Sequence, residues 1–234
     1  MSRLALLELY ASPFSERVRW ALDAAGVAYE RRAYAPIAGE EELVRTTGHR
    51  TVPILFCDGE VVGDSHAALD WIASHHPGGA LLPAEPRARA QVRAWELAAT
   101  ECLAPAARLV MIGGYRAAGI QPLADHFAAK YGWSEGAERQ ADSVLRSVLP
   151  ELAAAVEAAP HLVGDGFTRA DLTVACMLAP VLGVPPDDLF ALDEGMRGMF
   201  GLPLGDDPAL APLRAWRNEV YRRHRGRRVL PAGT

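Results

Sequence analysis

Sulfur and lysine are scarce in this chain. Its three cysteines, Cys57, Cys102 and Cys176, lie far apart and match neither a disulfide framework nor a zinc-ligand spacing. All three read as core residues. Lys130 is the single lysine among 24 basic residues, so positive charge is almost entirely arginine. The net charge is −5, which argues against nucleic acid as a partner. No apolar run reaches the roughly 18 residues that span a bilayer. The N-terminus lacks the basic flank, apolar core and cleavage site of a signal peptide. A cytoplasmic protein with no membrane partner is therefore expected. What is present is ordinary: 234 residues, half of them hydrophobic and 23% charged, enough for one large domain or two small ones.

The first part alternates strand and helix. Leu4 to Tyr10 is apolar, interrupted by Glu8, and reads as a buried strand. Ser12 then caps a helix with Pro13 at its first position and Gly26 just past its end. Tyr29 to Tyr34 forms a short strand, and Glu40 to Thr46 a short helix. Ile54–Cys57 and Glu60–Val62 flank Asp58-Gly59, a dipeptide suited to a tight type I′ hairpin. Asp64-Ser65 opens the next helix. The order β-α-β-α-β-β-α predicts a thioredoxin-like domain over 1–77. The stretch 78–86, rich in Pro and Gly, reads as a linker. Residues 87–234 read as all-helical. Arg87 to Tyr115 forms a long helix kinked at Pro105, Ala137 to Ala158 a second, bent or split at Pro150, and 167–181 a third. The last spans Asp207 to Arg225. The fold class is thus α/β followed by all-α. "YRRHRGRR" near the C-terminus reads as a solvated helix end. His75-His76 has no metal-site spacing, since neighbours on a helix point apart.

Three spots in the first domain could carry chemistry. Ser12 and Ser15 stand at the spacing of a Cys-x-x-Cys pair, where a strand turns into a helix. Serines form no disulfide. A hydroxyl at a helix N-terminus could instead hydrogen-bond a bound thiolate. Val52-Pro53 precedes a strand, where a cis bond would present the Val52 backbone to a peptide-like ligand. Asp64-Ser65, at a helix start with free amides, suits a carboxylate, and Asp64 could pair with an ammonium. Taken singly, each also reads as an ordinary helix cap or X-Pro turn.

Together these segments resemble the glutathione transferase family. "SPFSERVRWALDAAGVAYE" resembles its first strand-helix segment, "TVPIL" its cis-proline segment and "GDSHAALDWI" its acidic-Ser helix start. "LVGDGFTRADLTVACML" resembles its buried-helix capping box, with Thr168 capping and Asp171 reaching back. The resemblance covers nearly the whole chain. It implies glutathione as co-substrate, no metal, a homodimer and a detoxifying transferase activity. Ser12 would face the glutathione sulfur. Val52 would pair with the cysteinyl part beside cis Pro53, and Asp64 and Ser65 would hold the γ-glutamyl end. Tyr10, Phe14 and Ser15 are possible assisting residues. A small apolar electrophile would lie between the domains, near Met111 and Tyr115.

The sequence also departs from the family. Asp64 stands where Glu or Gln is usual. No lysine occurs near residues 37–50, and Asn-Pro is absent before the cis-proline segment. "TGHRTVP" is similar to glutaredoxins, and there Arg50, or less favourably His49, would bind the glycyl carboxylate. A glutathione-dependent isomerase or dehalogenase, and a non-catalytic binding protein of the same fold, stand as alternatives. A reductase is disfavoured, because Ser12 replaces the cysteine that forms a mixed disulfide.

Overall fold

A computed structural model describes residues 4–186 and 188–225. The chain divides into two compact units, one through Leu82 and one from Pro83.

The first unit is a four-stranded sheet of order β2-β1-β3-β4. Its strands are β1 (Leu4–Glu8), β2 (Glu30–Ala33), β3 (Ile54–Cys57) and β4 (Glu60–Gly63). β2 runs parallel to β1, while β3 is antiparallel to both β1 and β4. The helices α1 (Pro13–Ala24), α2 (Glu40–Thr47) and α3 (Ser65–His75) connect them, giving the thioredoxin-like order expected from the sequence. Asp58 (φ 49°) and Gly59 (φ 94°) both take positive φ, as a type I′ hairpin requires. Leu4 and Leu6 of β1, Val18 and Leu22 of α1, Leu55 of β3 and Leu69 and Ile72 of α3 form one apolar core.

Glu8 breaks the apolar pattern of β1 yet is 3% exposed. Strand alternation puts it on the same face as Leu4 and Leu6, towards α1. There Arg19 bonds both Glu8 and Glu16, and Arg31 of β2 donates from Nε to Glu8 at 2.6 Å. Two carboxylates and two guanidinium groups thus balance in charge, which is what burial demands. Burial opposes the charge on Arg19, but Glu16 and Glu8 overcome it and raise its pKa.

The second unit is helical. α4 (Pro86–Leu97) passes through a π segment (Ala98–Leu103) into α5 (Ala104–Ala117). The π segment ends just before Pro105, whose missing N–H breaks the regular ladder. By length and composition alone this run can cross a membrane, with a mean hydropathy of 1.2 over its best window. The sequence reading did not anticipate that. It is also a packing helix: Glu96, 1% exposed, receives Arg169 Nε and Nη2 at 3.0 Å each. α6 (Leu123–Tyr131) was not expected from the sequence. α7 (Glu135–Ala158) runs unbroken through Pro150, so the expected split does not occur. α8 (Arg169–Met177), α9 (Ala179–Leu182), α10 (Glu194–Arg197) and α11 (Ala211–Val220) follow. Asp207 caps a short 3₁₀ turn, Pro208–Leu210, ahead of α11.

Asp171 accepts from the Thr168 amide at 2.8 Å and its hydroxyl at 3.0 Å, closing the capping box of α8. Its other oxygen takes the Leu162 amide at 2.8 Å. One expectation fails: Cys102 is exposed, while Cys57 and Cys176 are buried. The π segment turns Ala99, Thr100 and Leu103 inwards and leaves Cys102 on the outer side. In the basic stretch, Arg222 and Arg223 pair with Glu219, and residues 226–228 lie outside the described residues.

Candidate functional site

Strand register assembles the site. Leu7 of β1 pairs with Ile54 of β3, and Ile54 pairs with Gly63 of β4. The chain leaves β1 towards Ser12, enters β3 from Val52-Pro53, and leaves β4 into Asp64-Ser65. One rung therefore brings all three sequence-chosen spots to one end of the sheet.

Ser12 occupies the N-cap of α1 with extended backbone (φ −70°, ψ 127°) and Pro13 behind it. Its hydroxyl makes no capping bond among the described residues, so the cap reading does not account for the side chain. Ser15, in contrast, is fully buried, and its Oγ accepts the Leu9 amide at 3.3 Å. It pins the loop before Ser12. Arg19 donates to the Tyr10 carbonyl at 2.8 Å, a second pin on the same loop. The guanidinium carbons of Arg19 and Arg31 sit 5.1 and 5.3 Å from the Tyr10 ring centroid. Phe14 is half-buried in the first turn of α1.

The Val52–Pro53 bond is cis, and Pro53 is buried. At the third spot, Asp64 is exposed and takes φ 59°. Its Oδ1 accepts the amides of His66 at 2.6 Å and Ala67 at 2.9 Å. The amides expected to be free for a ligand are therefore filled by Asp64 itself. What remains for an anion is Ser65, which is 4% exposed and whose Oγ accepts from Arg17 Nη1 at 3.2 Å. Sequence reading passed over Arg17. The available signal was a charged residue within the apolar stripe of Phe14, Val18 and Ala21.

Arg50 is exposed, and its Nη2 stands 3.5 Å from Glu40. The His49 ring packs where a side chain on residue 63 would project, 1.8 Å from an ideal Cβ, so only glycine fits there. On α5, Met111 is half-buried. Tyr115 is buried and its hydroxyl donates to the Met199 carbonyl at 2.8 Å, so this side chain is committed to packing. Burial pushes its pKa up to about 12.

An open cavity of about 440 Å³ lies at the other, hairpin end of the sheet, lined by Cys57, Asp58, Glu60, Trp71, His75 and His76. Burial, then Asp58 and Glu60, push the Cys57 thiol up, which keeps it a poor nucleophile. Among the described residues, no group of three or more His, Cys, Asp or Glu side chains is placed to hold a metal.

The fold is a thioredoxin-like unit, with Ser12 at the start of its first helix, followed by a helical unit. Comparison with known proteins narrows it. The profile of the glutathione S-transferase N-terminal domain matches residues 6–80. A probable glutathione S-transferase of Solanum tuberosum is 33% identical over 100 residues, 41% of this chain and 44% of that protein. The chain thus matches less than half the length of such relatives. Maleylacetoacetate isomerase of Rattus norvegicus is 30% identical over 184 residues, 74% of this chain and 76% of that protein. Among solved structures, the theta class glutathione S-transferase of Xanthomonas axonopodis pv. citri, with glutathione bound, superposes with a TM-score of 0.68 at 20% identity, covering 98% of this chain and 100% of that one. The chain belongs to the glutathione S-transferase family.

Proposed function

We propose that this protein is a glutathione transferase, with Ser12 as the donor that stabilises the bound thiolate. The observation that carries this reading is the rung Leu7–Ile54–Gly63, which gathers a serine donor, a cis-proline backbone and an acidic-Ser helix start. A tripeptide thiol has three matching parts. Its sulfur meets Ser12 and the N-terminus of α1, where the helix dipole favours negative charge. Its cysteinyl backbone meets Val52 beside Pro53, as an added strand would. Its γ-glutamyl ammonium meets Asp64 and its carboxylate meets Ser65, while Arg50 reaches the glycyl carboxylate.

Glutathione is the nucleophile and Ser12 only a hydrogen-bond donor. The protein contributes a lowered thiol pKa and proximity to an apolar electrophile. A cytoplasmic homodimer belongs to the same reading.

The test is Ser12→Ala. Glutathione affinity should hold, turnover should fall about 100-fold, and the pKa of the bound thiol, followed by thiolate absorbance, should rise. Unchanged turnover would overturn the assignment of Ser12. Net consumption of glutathione is expected. Turnover without it would indicate isomerase chemistry instead.

A further inference from the structure

We infer that Arg17 is a positioning residue of the carboxylate subsite at the start of α3, acting through Ser65. The inference rests on the glutathione reading above. Arg17 has 0% exposure and reaches from α1 across to Ser65 Oγ at 3.2 Å, linking residues 48 apart in sequence. A serine hydroxyl has one proton to donate and lone pairs to accept with. A guanidinium group donates only. With Arg17 on its acceptor side, the Ser65 hydroxyl must send its own proton elsewhere, and an anion at the helix start is the acceptor it suits.

Charge points the same way. Helix N-termini ordinarily attract anions through free amides. Here Asp64 occupies the amides of His66 and Ala67 and adds a negative charge. The Ala68 amide bonds the Asp64 carbonyl at 3.2 Å. Most of the usual donors are therefore spent. A buried cation directly behind Ser65 restores the attraction, and low solvent access leaves it weakly screened. The ligand group addressed is an α-amino acid carboxylate: Asp64 takes the ammonium, and Ser65, polarised by Arg17, takes the carboxylate.

The test compares two thiols, glutathione and cysteinylglycine, which lacks the γ-glutamyl carboxylate. In Arg17→Met the preference for glutathione, as a ratio of affinities, should fall about 10- to 100-fold. Turnover at saturating glutathione should change little, because the thiol end is untouched. Ser65→Ala should lose a similar preference, and the double variant should lose no more than either alone. Arg17→Gln keeps an N–H donor without the charge, and is read the same way should Arg17→Met not fold. Equal weakening of both thiols, or of neither, would make Arg17 merely structural and overturn the inference. A wild-type protein that binds neither thiol would overturn the glutathione reading and this inference with it. Wild-type preference for glutathione that survives in the Arg17 variants would overturn the role of Arg17 alone.

Discussion

At the scale of single residues, two serines of one tetrapeptide have opposite fates. Ser12, half-buried at the N-cap before Pro13, makes no capping bond among the described residues, while Ser15, one turn on, is fully buried and accepts the Leu9 amide. Ser15→Ala should therefore lower stability by about 1 kcal/mol through a lost buried hydrogen bond. Urea denaturation would check this, and the bound thiol pKa should stay as in the wild type. Arg19 has larger consequences, because it bonds Glu8, Glu16 and the Tyr10 carbonyl from a fully buried position. Arg19→Met removes the cation shared by two buried carboxylates and leaves Glu8 to Arg31, and should cost about 3–5 kcal/mol, measurable in the same way. Acid sensitivity belongs here too. His224 stacks on Phe167 at 4.1 Å, and burial, then His161, hold its pKa below the usual value. The unfolded chain then binds a proton that the folded chain resists. Stability should fall as pH drops below about 6.5, towards the depressed folded value. His224→Phe, which keeps the stacked ring, should flatten that part of the stability profile.

At the scale of elements, local signals were legible wherever one residue dictates its own backbone. Ser12-Pro13 starts α1, Asp58-Gly59 makes the hairpin, and Thr168 with Asp171 caps α8. The cap predicts its own test: Thr168→Ala should cost about 1 kcal/mol, and Asp171→Ala more, since Asp171 also holds the buried Leu162 amide. What stayed illegible depends on partners distant in sequence. Glu8 reads as a break in a strand until Arg19 and Arg31 fold against it. Arg17 is only a charged residue within an apolar stripe until Ser65 arrives, 48 residues later. Pro150 reads as a bend or a break in α7, yet packing of Leu145, Leu149 and Leu152 on the buried side carries the helix through it unsplit. Cys102 was misread as core because a π segment shifts which side chains face inwards. The candidate site was legible in its three spots. The filling of α3 amides by Asp64 was one of two readings left open, because the same residue type serves as cap and as ligand partner.

At the scale of the whole molecule, ligand binding and folding are linked. Glutathione at a hundredfold excess over its Kd should stabilise the protein by about 2.7 kcal/mol, seen as a rise in Tm. Asp64→Ala should lose most of that rise and also weaken the α3 cap, whereas Ser12→Ala should keep it. The rung Leu7–Ile54–Gly63 has a further consequence for how the protein breathes. Terminal rungs of a sheet open more readily than central ones, and their amides exchange with solvent sooner. A ligand fastened to the three segments that leave this rung would staple the open end of the sheet shut. Hydrogen–deuterium exchange around residues 7, 54 and 63 would then slow as glutathione is added, an occupancy gauge that works without any turnover.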